Sequence, residues 1–203
     1  MQTTPYIGGS WIPADGLDHR EVADPANGRK IGVYSLGTRE HVRHALEAAH
    51  AAFPAWSAKT ARERAGILLQ AAARLRENVE VLAEAVTREN GKPLSESRGE
   101  VAGAAAHFEW FAEEATRAYG RIVPPAAGGK RHLVIRVPVG VAACIAPWNF
   151  PLVLWARKVA PALAAGCTVV ARSASQTTLC TMQATEQIAD LFPAGVLNLI
   201  TGE

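Results

Sequence analysis

The sequence predicts an α/β protein with a helical amino-terminal segment, a two-stranded β-arm and half of a doubly wound parallel sheet. Three observations carry that prediction. Apolar residues recur at helical spacing through most of the first 120 positions. Two extended stretches then flank Gly128-Gly129. From residue 139 onward, strand-like and helix-like runs alternate, ending on a third strand. Handedness and packing rules turn that succession into parallel strands flanked by helices. The organisation read from the chain is therefore 1–120 helical part, 121–138 arm, and 139–203 first βαβαβ half.

Within the first part, Tyr6-Ile7-Gly8-Gly9-Ser10-Trp11-Ile12 reads as a short hairpin turning on paired glycines, and 30–34 as another extended piece. Both are expected at sheet edges. From Thr38, the spacing of Val42, Ala45, Leu46, Ala49 and Phe53 predicts an amphipathic helix that Pro54 ends. Thr60 with Glu63 forms a capping box ahead of Ile67, Leu68, Ala71 and Leu75, and one helical pattern continues to the stop signal Asn90-Gly91. Ser97 with Glu100 reads as the same device ahead of Val101, Ala104, Ala105, Phe108, Phe111 and Ala112.

After Gly120 the arm is expected over 121–126 and 130–137. The parallel half follows as strand 139–146, helix 152–165 stopped by Gly166, strand 167–171, helix 178–190 and strand 196–200.

Composition narrows the function classes. A 203-residue chain with 49% hydrophobic residues has ample material for a buried core. The 21 basic and 19 acidic side chains form no run of like charge, which argues against nucleic acid or an anionic membrane surface as a partner. Three cysteines without paired spacing point to a reducing compartment, the cytoplasm. Residues 1–15 lack a basic segment leading into an apolar run, and no window offers the ~20 apolar residues of a membrane span, so neither secretion nor insertion is expected.

The stretch with most chemistry is Pro147-Trp148-Asn149-Phe150-Pro151, at the carboxyl end of the first parallel strand, where α/β sheets present their binding loops. Two prolines stiffen it, and the Asn149 amide could donate to an oxygen acquiring negative charge. A Pro-rich turn whose asparagine only bonds its own backbone has the same composition, which does not choose between the two. Cys144 in one apolar strand, Cys167 opening another and Cys180 on a helix read as small buried hydrophobes. His41, His44 and His50 share a helix, but no cysteine or His-Glu-x-x-His pattern accompanies them; a solvated face is expected and no metal. Arg62, Glu63 and Arg64 likewise read as an exposed face.

The run Ile145-Ala146-Pro147-Trp148-Asn149-Phe150-Pro151 resembles the signature of the aldehyde dehydrogenase family. Other stretches resemble that family in the same order: Gly91-Lys92-Pro93-Leu94, Glu100-Val101, Glu109-Trp110-Phe111-Ala112-Glu113-Glu114 with Tyr119-Gly120, Ile135-Arg136-Val137-Pro138-Val139-Gly140, Ala165-Gly166-Cys167-Thr168-Val169-Val170 and Gly195-Val196-Leu197-Asn198. The resemblance covers nearly the whole chain. The Glu109–Glu114 segment and Ser175-Gln176-Thr177 are most similar to succinate-semialdehyde dehydrogenases.

That resemblance implies a Rossmann-like cofactor fold and oxidation of an aldehyde substrate: thiohemiacetal formation on a cysteine, hydride transfer to nicotinamide, and thioester hydrolysis by water that a glutamate activates. It makes Asn149 an oxyanion-hole donor and places Ile145, Ala146, Pro147 and Trp148 along the dinucleotide. Where the family's second strand ends in Lys-Pro against the adenosine ribose, this chain has Arg172-Ser173. Arginine does not place its charge as lysine does. NAD-preferring members usually carry a glutamate three residues beyond that lysine; Ser175 stands there instead, so NADP is favoured over NAD. No Gly-x-Gly-x-x-Gly occurs, and the cofactor reading rests on the resemblance alone.

In the family the arm serves subunit association, which implies a homo-oligomer or a related dehydrogenase subunit as partner. The family's nucleophilic cysteine, glutamate base and glycine-rich turn come later than Glu203, so a truncated dehydrogenase that is inactive alone, with an open first-strand edge, is expected. Two other readings remain: a non-catalytic nucleotide-binding or oligomer-partner module, and a purely structural α/β domain.

Overall fold

The computed structural model describes residues 3–202. The first hairpin, β1 (Tyr6–Ile7) and β2 (Ser10–Trp11), turns on Gly8 and Gly9 at φ of 61° and 93°. Both turn positions thus have the positive φ that a two-residue hairpin of this kind requires. A second hairpin joins β3 (His19–Ala23) to β4 (Lys30–Ser35). Nothing in the sequence had marked β3, whose one buried residue is Val22.

Helix α1 (Arg39–Ser57) is capped by Thr38 and runs through Pro54 rather than stopping there. The hydrogen bond that proline cannot make falls on the carbonyl of exposed His50, open to water, while the Pro54 carbonyl accepts from Ala58 N at 3.1 Å. Helix α2 (Ala61–Glu77) opens on the expected capping box, with Glu63 N donating to Thr60 Oγ1 at 3.2 Å and Thr60 N to Glu63 Oε2 at 2.7 Å. The continuous pattern to residue 90 is broken, however. Asn78 leaves helical geometry, its Nδ2 satisfies the Arg74 carbonyl at 2.8 Å, and α3 (Val79–Asn90) starts afresh. Gly91 at φ 85° closes α3 as expected.

Helix α4 (Leu94–Glu114) starts directly after Pro93, so Ser97 and Glu100 lie inside it and form no capping box. Both are buried; Ser97 Oγ bonds Thr87 Oγ1 at 2.8 Å and Glu100 faces a different helix. The 3-10 turn Ala115–Arg117 leads into the arm, β5 (Arg121–Val123) antiparallel to β6 (His132–Val134).

The remaining chain alternates as expected: β7 (Val141–Ile145), α5 (Pro151–Ala165), β8 (Thr168–Arg172), α6 (Thr178–Ile188) and β9 (Leu197–Ile200). Gly166 at φ 93° stops α5, and a 3-10 turn, Ala189–Leu191, follows α6. β7, β8 and β9 are parallel neighbours, with Ile145 opposite Arg172 and Arg172 opposite Ile200 at their carboxyl ends. The sheet order is β2-β1-β9-β8-β7. β1 is therefore not an edge strand: Tyr6 pairs with Leu199, so the amino-terminal hairpin supplies β9 with its second neighbour. The edges are β2 and β7.

Alternation along the strands assigns the layers. Val170 and Ile200 pack with Ala45 and Ala49 of α1 on one face. Val169, Ala171, Leu197 and Leu199 join the main core with Trp155, Val159 and Met182 of α5 and α6. Helices α2 and α4 lie against α5, with Phe108 5.7 Å from Trp155 between ring centroids. Arg62 and Glu63 are exposed as expected, but Arg64 is buried. Its Nε donates to the Ala164 carbonyl at 3.0 Å, in the last turn of α5, and its Nη1 to the Lys59 carbonyl in the α1–α2 connection, so a cation meets a carbonyl at the end of α5.

Candidate functional site

The carboxyl ends of β7, β8 and β9 bring Ile145, Arg172 and Ile200 side by side. Ala146 prolongs β7, its N–H donating to the Arg172 carbonyl at 3.0 Å and its side chain buried. Then the chain leaves the core: Pro147, Trp148, Asn149 and Phe150 are all exposed, as is Ile145. The side-chain amide of Asn149 makes no hydrogen bond among the described residues, so it is not spent on its own turn.

The turn after α3 holds this loop. Asn90 Nδ2 donates to the Trp148 carbonyl at 2.9 Å, and Lys92 Nζ to the Asn149 carbonyl at 3.0 Å. The Lys92 ammonium also pairs with Glu100 Oε2 and stands 4.0 Å from the centroid of the Phe150 ring. Glu100 Oε1 accepts from Leu152 N at 2.8 Å and Val153 N at 3.4 Å, at the start of α5.

A second buried glutamate does the same for α6. Glu89 accepts from Leu179 N and Cys180 N, each at 2.8 Å. Burial pushes the Glu89 carboxyl up from its ordinary range, against the backbone N–H bonds that favour its ionised form. Both helix N-termini of the parallel half are thus occupied by carboxylates. These are the positions at which many dinucleotide folds seat a pyrophosphate with a Gly-rich turn. Their occupation gives a physical reason for the missing Gly-x-Gly-x-x-Gly: an anion there would have to displace Glu100 or Glu89.

On the next strand, Arg172 Nη2 donates to the Gly202 carbonyl at 2.7 Å. Arg172 also lines a cavity of about 300 Å3 with Thr38, Arg39, Ile200 and Thr201. Ser175 is half-buried in the β8–α6 connection, where its carbonyl accepts from Tyr34 Oη at 3.1 Å. The fold thus gathers Ile145, Ala146 and Arg172 directly, and carries Pro147, Trp148 and Asn149 on one adjoining loop.

Asn90, Lys92, Glu89 and Glu100 were not read as functional from the sequence. A signal existed for the glutamates, since Glu89 continues the buried stripe Leu82-Val86, and Glu100 lies among Ser97, Val101 and Ala104. A carboxylate on a buried stripe needs donors from elsewhere.

Cys144, Cys167 and Cys180 are free and buried, as expected. Burial pushes the Cys144 thiol up to about 11 and the Cys180 thiol well above its ordinary value, with Glu89 adding to the latter. Thiolate chemistry at neutral pH is suppressed in both. A thiol-titration experiment should accordingly find the three cysteines slow in the native chain and fast after unfolding. Rapid native modification of Cys144 would contradict this. Two of the helix-borne histidines have local partners: His41 Nδ1 accepts from Thr38 N at 3.0 Å, and His44 Nε2 is 3.0 Å from Glu40.

The parallel half-sheet thus presents, at its strand ends and beside the Arg172 cation, the exposed Pro147–Phe150 loop whose sequence resembles the aldehyde dehydrogenase signature. Residues 11–203 match the model of the aldehyde dehydrogenase family, and the chain belongs to that family.

Among curated relatives, the chain is 48% identical over 199 residues to a glutarate-semialdehyde dehydrogenase of Pseudomonas putida, covering 97% of this chain and 41% of that protein. It is 45% identical over 197 residues to an Escherichia coli succinate-semialdehyde dehydrogenase whose name specifies NADP(+), with the same two coverages. An aldehyde dehydrogenase structure from Brucella melitensis superimposes with a TM-score of 0.97 at 43% identity, over 100% of this chain and 42% of that one. A Staphylococcus aureus betaine aldehyde dehydrogenase point mutant in complex with NAD+ does so with a TM-score of 0.95 at 33% identity, again over 100% and 42%. The chain spans 41% of the length of the curated relatives named here.

Proposed function

We propose that these residues form the amino-terminal, dinucleotide-binding portion of a semialdehyde dehydrogenase that oxidises an aldehyde, foremost succinate semialdehyde, to its carboxylic acid. The observation that carries this reading is the 145–149 segment: apolar surface and a free asparagine amide, exposed at the carboxyl ends of β7 and β8. When bound, the dinucleotide supplies the hydride acceptor. Ile145, Pro147 and Trp148 offer it an apolar rim, and Ala146 contributes backbone only. Arg172 and Ser175 present a cation and a hydroxyl at the expected ribose position, which favours the 2′-phosphate of NADP over NAD. Asn149 donates its amide to the aldehyde oxygen as negative charge develops there.

No described cysteine suits the nucleophile's role, because all three are buried. Glu89 and Glu100 are committed to helix N-termini, which leaves neither available as the base. These residues therefore bind cofactor without turning aldehyde over. The arm exposes Ile122, Leu133, Ile135 and Val137, an apolar surface suited to a second copy or a related dehydrogenase subunit. Among the described residues no helix is long and apolar enough to cross a membrane; with three free thiols, the proposed location is the cytoplasm.

The test is calorimetric titration of the chain with NADP(+) and NAD(+), beside an NADPH-formation assay with succinate semialdehyde. Binding that is tighter for NADP(+), without turnover, is expected, and Ser175→Glu should reverse the preference. Absence of binding would overturn the cofactor reading, and turnover would overturn the exclusion of the buried thiols.

A further inference from the structure

We infer that Lys92, ion-paired with buried Glu100, is the positioning residue of the 147–151 loop, setting where the Asn149 amide and the Trp148 ring are held. The use made of that loop rests on the function proposed above; its positioning by Lys92 does not.

Between its two anchored ends the loop has little packing to fix it, since Pro147 through Phe150 are exposed. What fixes its middle is polar and comes from one turn. Gly91 at φ 85° reverses the chain so that Asn90 and Lys92 both reach the loop, one at the Trp148 carbonyl and the other at the Asn149 carbonyl. A side chain at position 91 would also place its Cβ 2.8 Å from Pro25 Cγ. Lys92 adds a cation–π contact to Phe150, so two consecutive loop residues depend on one ammonium group.

The Lys92 side chain is 9% exposed, and that of Glu100, its counter-charge, 1%. Glu100 simultaneously accepts from Leu152 N, where the loop enters α5. One carboxylate therefore fixes both the loop's exit and the cation that fixes its middle. Removing either charge alone leaves the other buried without its partner, so the informative variant neutralises both.

In K92M/E100Q no unpaired charge remains, and the glutamine carbonyl can still accept from Leu152 N. The test is 15N relaxation on the whole chain, without nucleotide. Backbone order parameters at Trp148, Asn149 and Phe150 should fall from about 0.85 to below about 0.6, with α4 and the body of α5 unchanged. Asn90→Ala, which removes only the bond to the Trp148 carbonyl, should loosen residue 148 more than residue 150. Unchanged order parameters across 148–150 would overturn the inference, and so would uniform loosening of α4 and α5, which would mark the pair as general scaffolding.

A second readout is NADP(+) affinity, expected to weaken about tenfold as the binding-competent loop becomes a minor population. A localised loss of order with undiminished NADP(+) affinity would overturn the functional half of the inference. If the unaltered chain binds no NADP(+) but the order parameters respond as stated, the function proposed above fails while the positioning role stands.

Discussion

Trp155→Ala is expected to remove about 3–5 kcal/mol of stability, read as a fall in the urea midpoint without a large change in slope. Trp155 is fully buried on α5 and meets Phe108 of α4 at 5.7 Å with the rings tilted at 49°. That contact lies where the outer helices sit on the parallel half, so a cavity there loosens the support of the site loop as well as the core. Its Nε1 has no hydrogen-bond partner among the described residues, so the loss is one of packing and not of a bond. Trp155→Phe should recover most of it. A loss below about 1 kcal/mol for the alanine variant would mean that neighbouring side chains collapse into the space.

The second large effect is expected from Glu89→Ala. It strips the acceptor from two buried donors, Leu179 N and Cys180 N, at about 1–3 kcal/mol for each group left unmade. Glu89→Gln keeps one acceptor and should cost about half as much. The two variants also differ from the parent in pH dependence, and the sign follows from the raised Glu89 carboxyl. A folded state that holds a proton more tightly than the unfolded chain gains stability from it below the ordinary carboxylate range. That gain is lost as pH rises through the raised folded value. Stability measured from acid toward neutral pH should therefore decline in the parent by a component that Glu89→Gln lacks; an identical profile in both would show that Glu89 does not titrate in this window.

These two effects also separate what could be read from the sequence from what could not. The βαβαβ half was legible because apolar strand-like runs alternate with helix-like runs from residue 139 onward, and because Gly166 stops α5 just before β8. Other features were not local. β1 sits inside the sheet because β9 takes it as a partner across most of the chain, and no short-range pattern encodes such a pairing. Helical periodicity carried across Asn78 without a break, although a side chain bonding its own preceding turn ended α2 there.

Ser97 and Glu100 fitted a capping box by spacing alone, but Pro93 starts α4 one turn earlier. Glu100 instead caps α5, which follows it by some fifty positions in sequence. The burial of Arg64 has a related cause: a charged residue can be buried when a carbonyl at a distant helix end receives it. For the site, Asn149 and its loop stood out by composition, whereas Lys92 and Glu100, which hold that loop, gain their meaning from tertiary contact.

The most direct measurement is NMR mapping of the NADP(+) footprint on the 15N-labelled chain. The expected footprint is Ile145 to Asn149 together with Arg172 and Ser175, with the Leu152, Val153, Leu179 and Cys180 amides unmoved because Glu100 and Glu89 keep them. A footprint centred on those four helix-start amides, with the 145–149 segment silent, would contradict both the placement of the cofactor and the role given to the two carboxylates.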